Sequence, residues 1–282
     1  MQTCQRLSTL REQLNQERHA GKRIALVATM GNLHEGHMQL IRLAKAQANF
    51  VVASIFVNPL QFGLNEDWEQ YPRTLERDSA MLTAEGCDLL FCPTENDMYP
   101  NGMETQTKVE VPTMTNILCG ASRPGHFLGV TTVVAKLLNM TQPDIAIFGI
   151  KDYQQLTVIR RMVEDLSIPV QLVAAPIARA EDGLALSSRN GYLTAEERPR
   201  ATALYQALVQ TSAAVQAGRR DYAQLENEAL AQLTQVDMRP DYFSIRQAKT
   251  LEPAAAGDTD LVILGAVYLG KTRLIDNVTL TV

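Results

Sequence analysis

Five short apolar runs, spread through the first two-thirds of the 282 residues, leave few folds open to this chain. They are IALVAT (24–29), FVVASIFV (50–57), DLLFC (88–92), DIAIFG (144–149) and VQLVAA (170–175). Each is nearly unbroken and most are rich in β-branched residues, as strands are when both faces of a sheet are covered. Helical patterns lie between them at 37–48, 130–140 and 153–166. Strand and helix in alternation predict an α/β domain with a doubly wound parallel sheet. Such sheets bind ligands beyond the carboxyl ends of their strands, so the loops that follow those ends are where function is sought.

The pattern changes after about residue 178. Residues 195–217 and 221–235 read as helices, and 241–247, 261–269 and 273–282 read as strands. Helices followed by a small antiparallel sheet predict a separate α+β domain over 179–282, joined to 1–178 through the charged, Gly- and Ser-containing segment RAEDGLALSSRN. Nothing in the chain repeats, and no tract is of low complexity.

Composition narrows the function. A net charge of -5, with 46% hydrophobic and 20% charged residues, is ordinary for a globular protein and argues against a nucleic-acid partner held by a broad basic face. No run reaches the ~20 apolar residues of a membrane span, and the polar start lacks a signal-peptide core, so a cytoplasmic location without membrane attachment is expected. Four cysteines, none in a CxxC, read as free thiols; Cys87 and Cys92 flank DLLF at an odd spacing that points them to opposite faces of a strand.

The chemistry gathers in TMGNLHEGH (29–37). A strand runs through Gly31 into His34 and His37, and a helix begins near Gly36 or His37. Imidazoles three residues apart at a helix mouth lie on roughly one side. The helix N-terminus adds unpaired N–H groups and partial positive charge, an anion site, and Gly31 and Gly36 let a phosphate approach. Zinc ligation of the HExxH kind needs a spacing of four, not three, and no other His or Cys cluster completes a site, so no protein-held metal is expected. The segment Gly265–Thr272 satisfies the P-loop expression GxxxxGK[ST], but strand formers occupy it and only ten residues follow. It reads as a hairpin turning at Gly270-Lys271.

Three further segments offer polar groups. In IFVNPLQFG, Asn58 and Gln61 flank a proline turn where neutral amides can meet hydroxyls and carboxylates. In FGIKDYQQL, Lys151 is placed for phosphate, Asp152 for ribose or a helix cap, and Gln155 for the same crevice one turn later. LSSRN (186–190) sets Ser187 and Ser188 beside Arg189, a phosphate clamp by composition. Arg123 and His126 sit on a Gly/Pro turn, His126 reading as structural and His19 as surface. From residues alone, an ATP-using ligase, a nucleotidyltransferase with a phosphorylated acceptor, and a non-catalytic nucleotide binder all stay open, with the neutral amides favouring the first.

Taken in order, TMGNLHEGH, SIFVNPLQF, YPRTLERD, RPGHFLGV, FGIKDYQQLTVIRRM, DGLALSSRNGYLT and RLIDN resemble the pantothenate synthetase (pantoate–β-alanine ligase) family of the HxGH nucleotidyltransferases, over essentially the whole chain. The resemblance implies a Rossmann-like first domain that binds ATP and pantoate, and a second that forms a lid. It also implies pantoyl-adenylate formation followed by attack of β-alanine, giving pantothenate, a coenzyme A precursor. ATP contacts are implied for Met30, Gly31, Asn32, Leu33, His34, Glu35, Gly36, His37, Gly149, Ile150, Lys151, Asp152, Ala178, Leu186, Ser187, Ser188 and Arg189. Pantoate contacts are implied for Gln61 and Gln155, with Asn58 and Arg123 as further candidates, and β-alanine contact for Gln61. His37 is the family's usual catalytic acid, with His34, Lys151 and Arg189 beside it. Mg²⁺ accompanies the phosphates, and a homodimer is implied. Two positions depart from the pattern: Ala28 where proline is common, and Ile150 where glutamate is common.

Overall fold

The computed structural model describes residues 1–282 except 64, 65 and 67. Two compact units emerge, Met1–Ile150 with Val158–Pro176, and Lys151–Thr157 with Ile177–Val282. The main division thus falls at 176/177, close to the sequence boundary. Residues 151–157 group with the second unit, which the sequence alone does not indicate.

The first unit is built on six strands: β1 (Gln2–Cys4), β2 (Ile24–Thr29), β3 (Phe50–Ile55), β4 (Leu89–Phe91), β5 (Ile145–Gly149) and β6 (Gln171–Ala175). Their order is β1-β4-β3-β2-β5-β6 and every pairing is parallel. Between the strands run α1 (Leu7–His19), α2 (Glu35–Gln47), α3 (Leu75–Ala84), α4 (Glu95–Met98), α5 (Cys119–Ser122), α6 (His126–Thr141) and α7 (Tyr153–Asp165), of which only the part from Val158 on groups with this unit. The core forms because small and β-branched strand residues face helix residues: Ala25, Val27, Val51, Ala53, Ile145 and Ile147 pack with Met38, Ile41 and Ala44 of α2. Two strands are pinned at their starts by a neighbour's carboxylate, Asp144 accepting from the Ile24 N–H at 2.7 Å and Asp88 from the Val51 N–H at 2.8 Å. β2 has β3 on one side and β5 on the other, so the chain reverses direction across it and its carboxyl end is the topological switch point.

The second unit carries α8 (Glu197–Arg200), α9 (Ala203–Gln216), α10 (Tyr222–Gln235) and the antiparallel strands β7 (Arg239–Gln247), β8 (Asp260–Leu269) and β9 (Thr272–Thr281), in the order β7-β8-β9. Leu204, Leu208 and Leu233 of the helices bury against Phe243, Ile245, Ile263 and Leu274 of the sheet. Leu269 pairs with Thr272, and Gly270 takes φ 56° between them. The P-loop look-alike is therefore a two-residue hairpin, whose first position needs the left-handed region that glycine enters without strain.

All four cysteines are buried and free, and burial pushes the thiols of Cys4, Cys87 and Cys92 up to about 11. Cys87 and Cys92 do not point to opposite faces: both lie outside the three-residue strand and join one apolar cluster. Among the described residues, no helix is long and apolar enough to cross a membrane.

Candidate active site

In the first unit the loop Met30–His34 leaves the carboxyl end of β2, and α2 starts at Glu35 with His34 as its N-cap. The helix thus begins one to two residues earlier than the sequence pattern suggests. His34 Nδ1 accepts from the Gly36 N–H at 3.1 Å, and His37 Nδ1 accepts from the His34 N–H at 3.3 Å. Because each Nδ1 takes a hydrogen bond, each neutral ring carries its own hydrogen on Nε2. The ring centroids lie 4.1 Å apart. The outcome is a pair of adjacent imidazoles at the switch point, each with Nδ1 turned to a main-chain N–H.

This corrects one expectation. Four N–H groups around the start of α2 have partners within the protein: His34 and Gly36 donate to the rings, and His37 and Met38 donate to the His34 carbonyl, at 2.8 and 3.2 Å. The main-chain amides of Asn32 and Leu33 are also taken, donating to Asp78 Oδ2 and Oδ1 at 2.8 and 2.9 Å. What this loop can give a phosphate is therefore side-chain donors and the helix field more than a full ring of bare amides.

Asp78, fully buried, and its neighbour Arg77 come from α3, and sequence reasoning assigns them no role although YPRTLERD is among the family segments. The Asp78 carboxylate also accepts from the Thr74 hydroxyl at 3.1 Å, while Arg77 donates to Asn32 Oδ1 and the Leu33 carbonyl at 2.9 and 3.0 Å. The loop is held from below by one acid and one base. Gly31, at φ 82°, fits for the same reason: a Cβ there would sit 3.2 Å from Asp78 Oδ2 and 3.1 Å from Ile55. The available signal was an Arg-Asp step at a helix start, following a Thr, but it is equally the signal of an ordinary helix first turn. Leu33 is core, and Glu35 turns to an ion pair with Arg42.

Following β3, Pro59–Gln61 form a single turn of 3₁₀ helix capped by Asn58. The sequence reading has Asn58 facing the crevice, yet its amide is saturated within the protein. Nδ2 donates to Gln61 Oε1 and the Gly129 carbonyl, both at 3.1 Å, and Oδ1 accepts from the Leu60 N–H at 3.3 Å and the Tyr99 hydroxyl at 2.7 Å. Burial pushes the Tyr99 hydroxyl well up, keeping it a donor. Asn58 thereby orients Gln61, whose Nε2 lies 3.0 Å from Met30 Sδ. The approach of α6 to this turn depends on Gly129, where a Cβ would fall 2.3 Å from the Leu60 carbonyl oxygen.

Arg123, a candidate for direct pantoate contact, is committed to Glu66 in a two-point pair at 2.5 and 2.6 Å. Burial pushes Glu66 up, but the Arg123 hydrogen bonds and charge outweigh it and hold the carboxyl below its usual range. Arg123 Nη1 also donates to His126 Nε2 at 3.0 Å, so His126 carries its hydrogen on Nδ1 and gives it to the Gln61 carbonyl at 2.8 Å. His126 thus links Arg123 to the Gln61 main chain through its two ring nitrogens.

In the second unit, Lys151 lies in the 3₁₀ turn Ile150–Asp152 after β5, with its carbonyl accepting from Asn277 Nδ2 at 3.0 Å. Gln155 is half-buried in the first turn of α7 and Asp152 is exposed. Ala178 pairs with Leu186 through the Leu186 N–H at 2.8 Å, and Ser187 caps the turn Ser188–Tyr192, its Oγ accepting from the Arg189 N–H at 3.2 Å. Lys151, Ala185, Ser187 and Asn190 line one small cavity with Tyr205 and Asp276. Among the described residues, no group of three or more His, Cys, Asp or Glu is arranged to hold a metal ion.

A sequence model of the Pantoate-beta-alanine ligase family matches residues 2–279. The chain belongs to the pantoate–β-alanine ligase family. It is 58% identical over 282 residues to the pantothenate synthetase of Saccharophagus degradans, covering 100% of this chain and 99% of that one. Identity to the Pseudomonas putida (strain W619) pantothenate synthetase is 58% over 277 residues, 98% and 96% of the two chains. Among solved structures, the pantothenate synthetase of Thermus thermophilus superposes with a TM-score of 0.92 at 45% identity, covering 99% of each chain. The Francisella tularensis pantoate-beta-alanine ligase, complexed with beta-gamma ATP and beta-alanine, gives 0.79 at 35% identity, covering 99% of this chain and 97% of that one. The parallel six-stranded sheet with flanking helices, and the small antiparallel sheet that follows, are therefore those of pantoate–β-alanine ligases.

Proposed function

We propose that this protein joins (R)-pantoate to β-alanine with ATP, through pantoyl-adenylate, releasing pyrophosphate, AMP and pantothenate. The observation that carries the reading is the imidazole pair at the switch point, each ring accepting a main-chain N–H at Nδ1. In the first step a pantoate carboxylate oxygen attacks the α-phosphorus and the bond to pyrophosphate breaks. The carboxylate is already ionised near neutrality, so this step asks for charge stabilisation rather than a base. Neutral Nε2–H donors on His34 and His37 suit it, and Lys151 and Arg189 add positive charge on the same nucleotide. In the second step the amine of β-alanine attacks the acyl carbon, the bond to AMP breaks and the amine loses a proton.

Magnesium enters with ATP as part of the substrate. Gln61 and Gln155 recognise pantoate, and Gln61 also meets β-alanine. Asn58 and Arg123 act on pantoate through Gln61, since their own polar groups are bonded within the protein. The match of Glu66 to Arg123 disfavours a phosphorylated acceptor, which would call for unpaired positive charge. The second domain closing as a lid, a cytoplasmic homodimer, and a main-chain adenine contact at Ala178 complete the reading.

Isotope transfer tests it. With pantoate carrying ¹⁸O in its carboxylate, one labelled oxygen should appear in AMP per turnover. Unlabelled AMP, or ADP as the product, would overturn the adenylate route.

A further inference from the structure

Family segment RLIDN has no role in the reaction as described, yet its last two residues are buried polar groups on β9, an edge strand. Asn277 sends Nδ2 to the Lys151 carbonyl at 3.0 Å. Asp276 receives Arg179 at two points, 2.6 and 3.0 Å, and also accepts from the Asn277 N–H at 2.8 Å. Arg179 in turn donates to the Gly183 carbonyl at 3.0 Å and stacks 3.8 Å from the ring centroid of Tyr205. It pairs with Ala185 across a short antiparallel bridge, flanked by Ala180 N–H to Leu184 O and Leu186 N–H to Ala178 O, both at 2.8 Å. Beyond that bridge the chain becomes Ser187–Arg189, and Asn190 Nδ2 ties it back to the Ala185 carbonyl at 3.0 Å. Two consecutive residues of one strand thus hold the main chain at Lys151 and the root of the serine–arginine loop.

We propose that Asp276 and Asn277 are positioning residues for the nucleotide. Asn277 fixes where the Lys151 backbone stands, and Asp276, through Arg179, fixes the hairpin that carries Ser187, Ser188 and Arg189. The inference rests on the reading that these two loops hold ATP. Both residues act at the start of rigid connections: β9 is locked to β8 through the pairs Gly265–Asp276 and Leu264–Asn277, so a shift of either side chain is transmitted to a loop rather than absorbed by the strand. A buried amide and carboxylate on an edge strand would otherwise be a costly choice beside apolar residues of the same size.

Asn277→Asp tests this, because it keeps the shape and replaces the donor with an oxygen that repels the Lys151 carbonyl. Steady-state kinetics should show KM for ATP raised about tenfold or more, KM for β-alanine within about twofold, and a cooperative melt retained. Asn277→Ala should show the same split. In a Lys151→Ala background, Asn277→Asp should change KM for ATP less than about twofold, since the group it positions is gone. Equal effects in both backgrounds, or a loss spread evenly over all substrates, would assign Asn277 a purely structural part and overturn the proposal. If Lys151→Ala impairs ATP use while Asn277→Asp is silent, the positioning role fails alone. If Lys151→Ala itself leaves ATP use unchanged, the functional reading of that loop fails and the proposal with it.

Discussion

His34 does two things at once: its main chain ends the loop after β2 and its Nδ1 caps α2 by accepting from the Gly36 N–H. The pairing of His34 with His37 was legible in the sequence, since strand, glycine, histidines and helix come in the order an anion site needs. What was not legible was that the rings themselves take up two of the amides at the helix start, because capping by histidine has no distinct signature beside the common Ser, Thr, Asp and Asn caps. Asp78 was missed for a related reason: 45 residues separate it from Leu33, and only the fold brings its carboxylate under the loop. Asp78→Asn leaves one oxygen for two main-chain donors, so an N–H faces an NH₂. It should destabilise the fold by about 1–3 kcal/mol in a denaturant melt. It should also lower kcat/KM for ATP about tenfold, as expected when pre-organised donors move. A melt within experimental error of the parent would show that the loop does not depend on this carboxylate.

At the level of elements, most strands and the longer helices announce themselves by periodicity, and the failures have physical causes. β1 is three residues, Gln-Thr-Cys, two of them exposed, and it exists because Leu89–Phe91 offers it a pairing edge. Residues 195–217 read as one helix but break after Arg200, just past Pro199. The α6 contact to the Asn58–Gln61 turn was invisible because it depends on an absent side chain at Gly129. Gly129→Ala should force α6 and the turn apart, costing about 1–3 kcal/mol as overpacking does, and should raise KM for pantoate more than KM for ATP. An unchanged pantoate KM would disconnect that turn from the acceptor. The Gly270-Lys271 hairpin makes the opposite prediction. Lys271→Ala should leave nucleotide affinity nearly unchanged by calorimetry, and a hundredfold loss would restore the P-loop reading.

Across the whole molecule, the doubly wound sheet and the separate antiparallel one follow from where β-branched runs fall along the chain. The grouping of residues 151–157 with the second unit does not, because a helix pattern carries no mark of which core its first turn will join. Acceptor identity lies beyond fold: neutral amides suggest a small hydroxy acid, and family membership supplies pantoate and β-alanine. The central claim is that the histidine pair promotes adenylate formation before any amine arrives. ATP–pyrophosphate exchange measures this directly. Exchange should require pantoate, proceed without β-alanine, and fall by about 10²–10⁴ in His37→Ala with the fold intact. Exchange that needs β-alanine, or a His37→Ala rate within about threefold of the parent, would contradict the account.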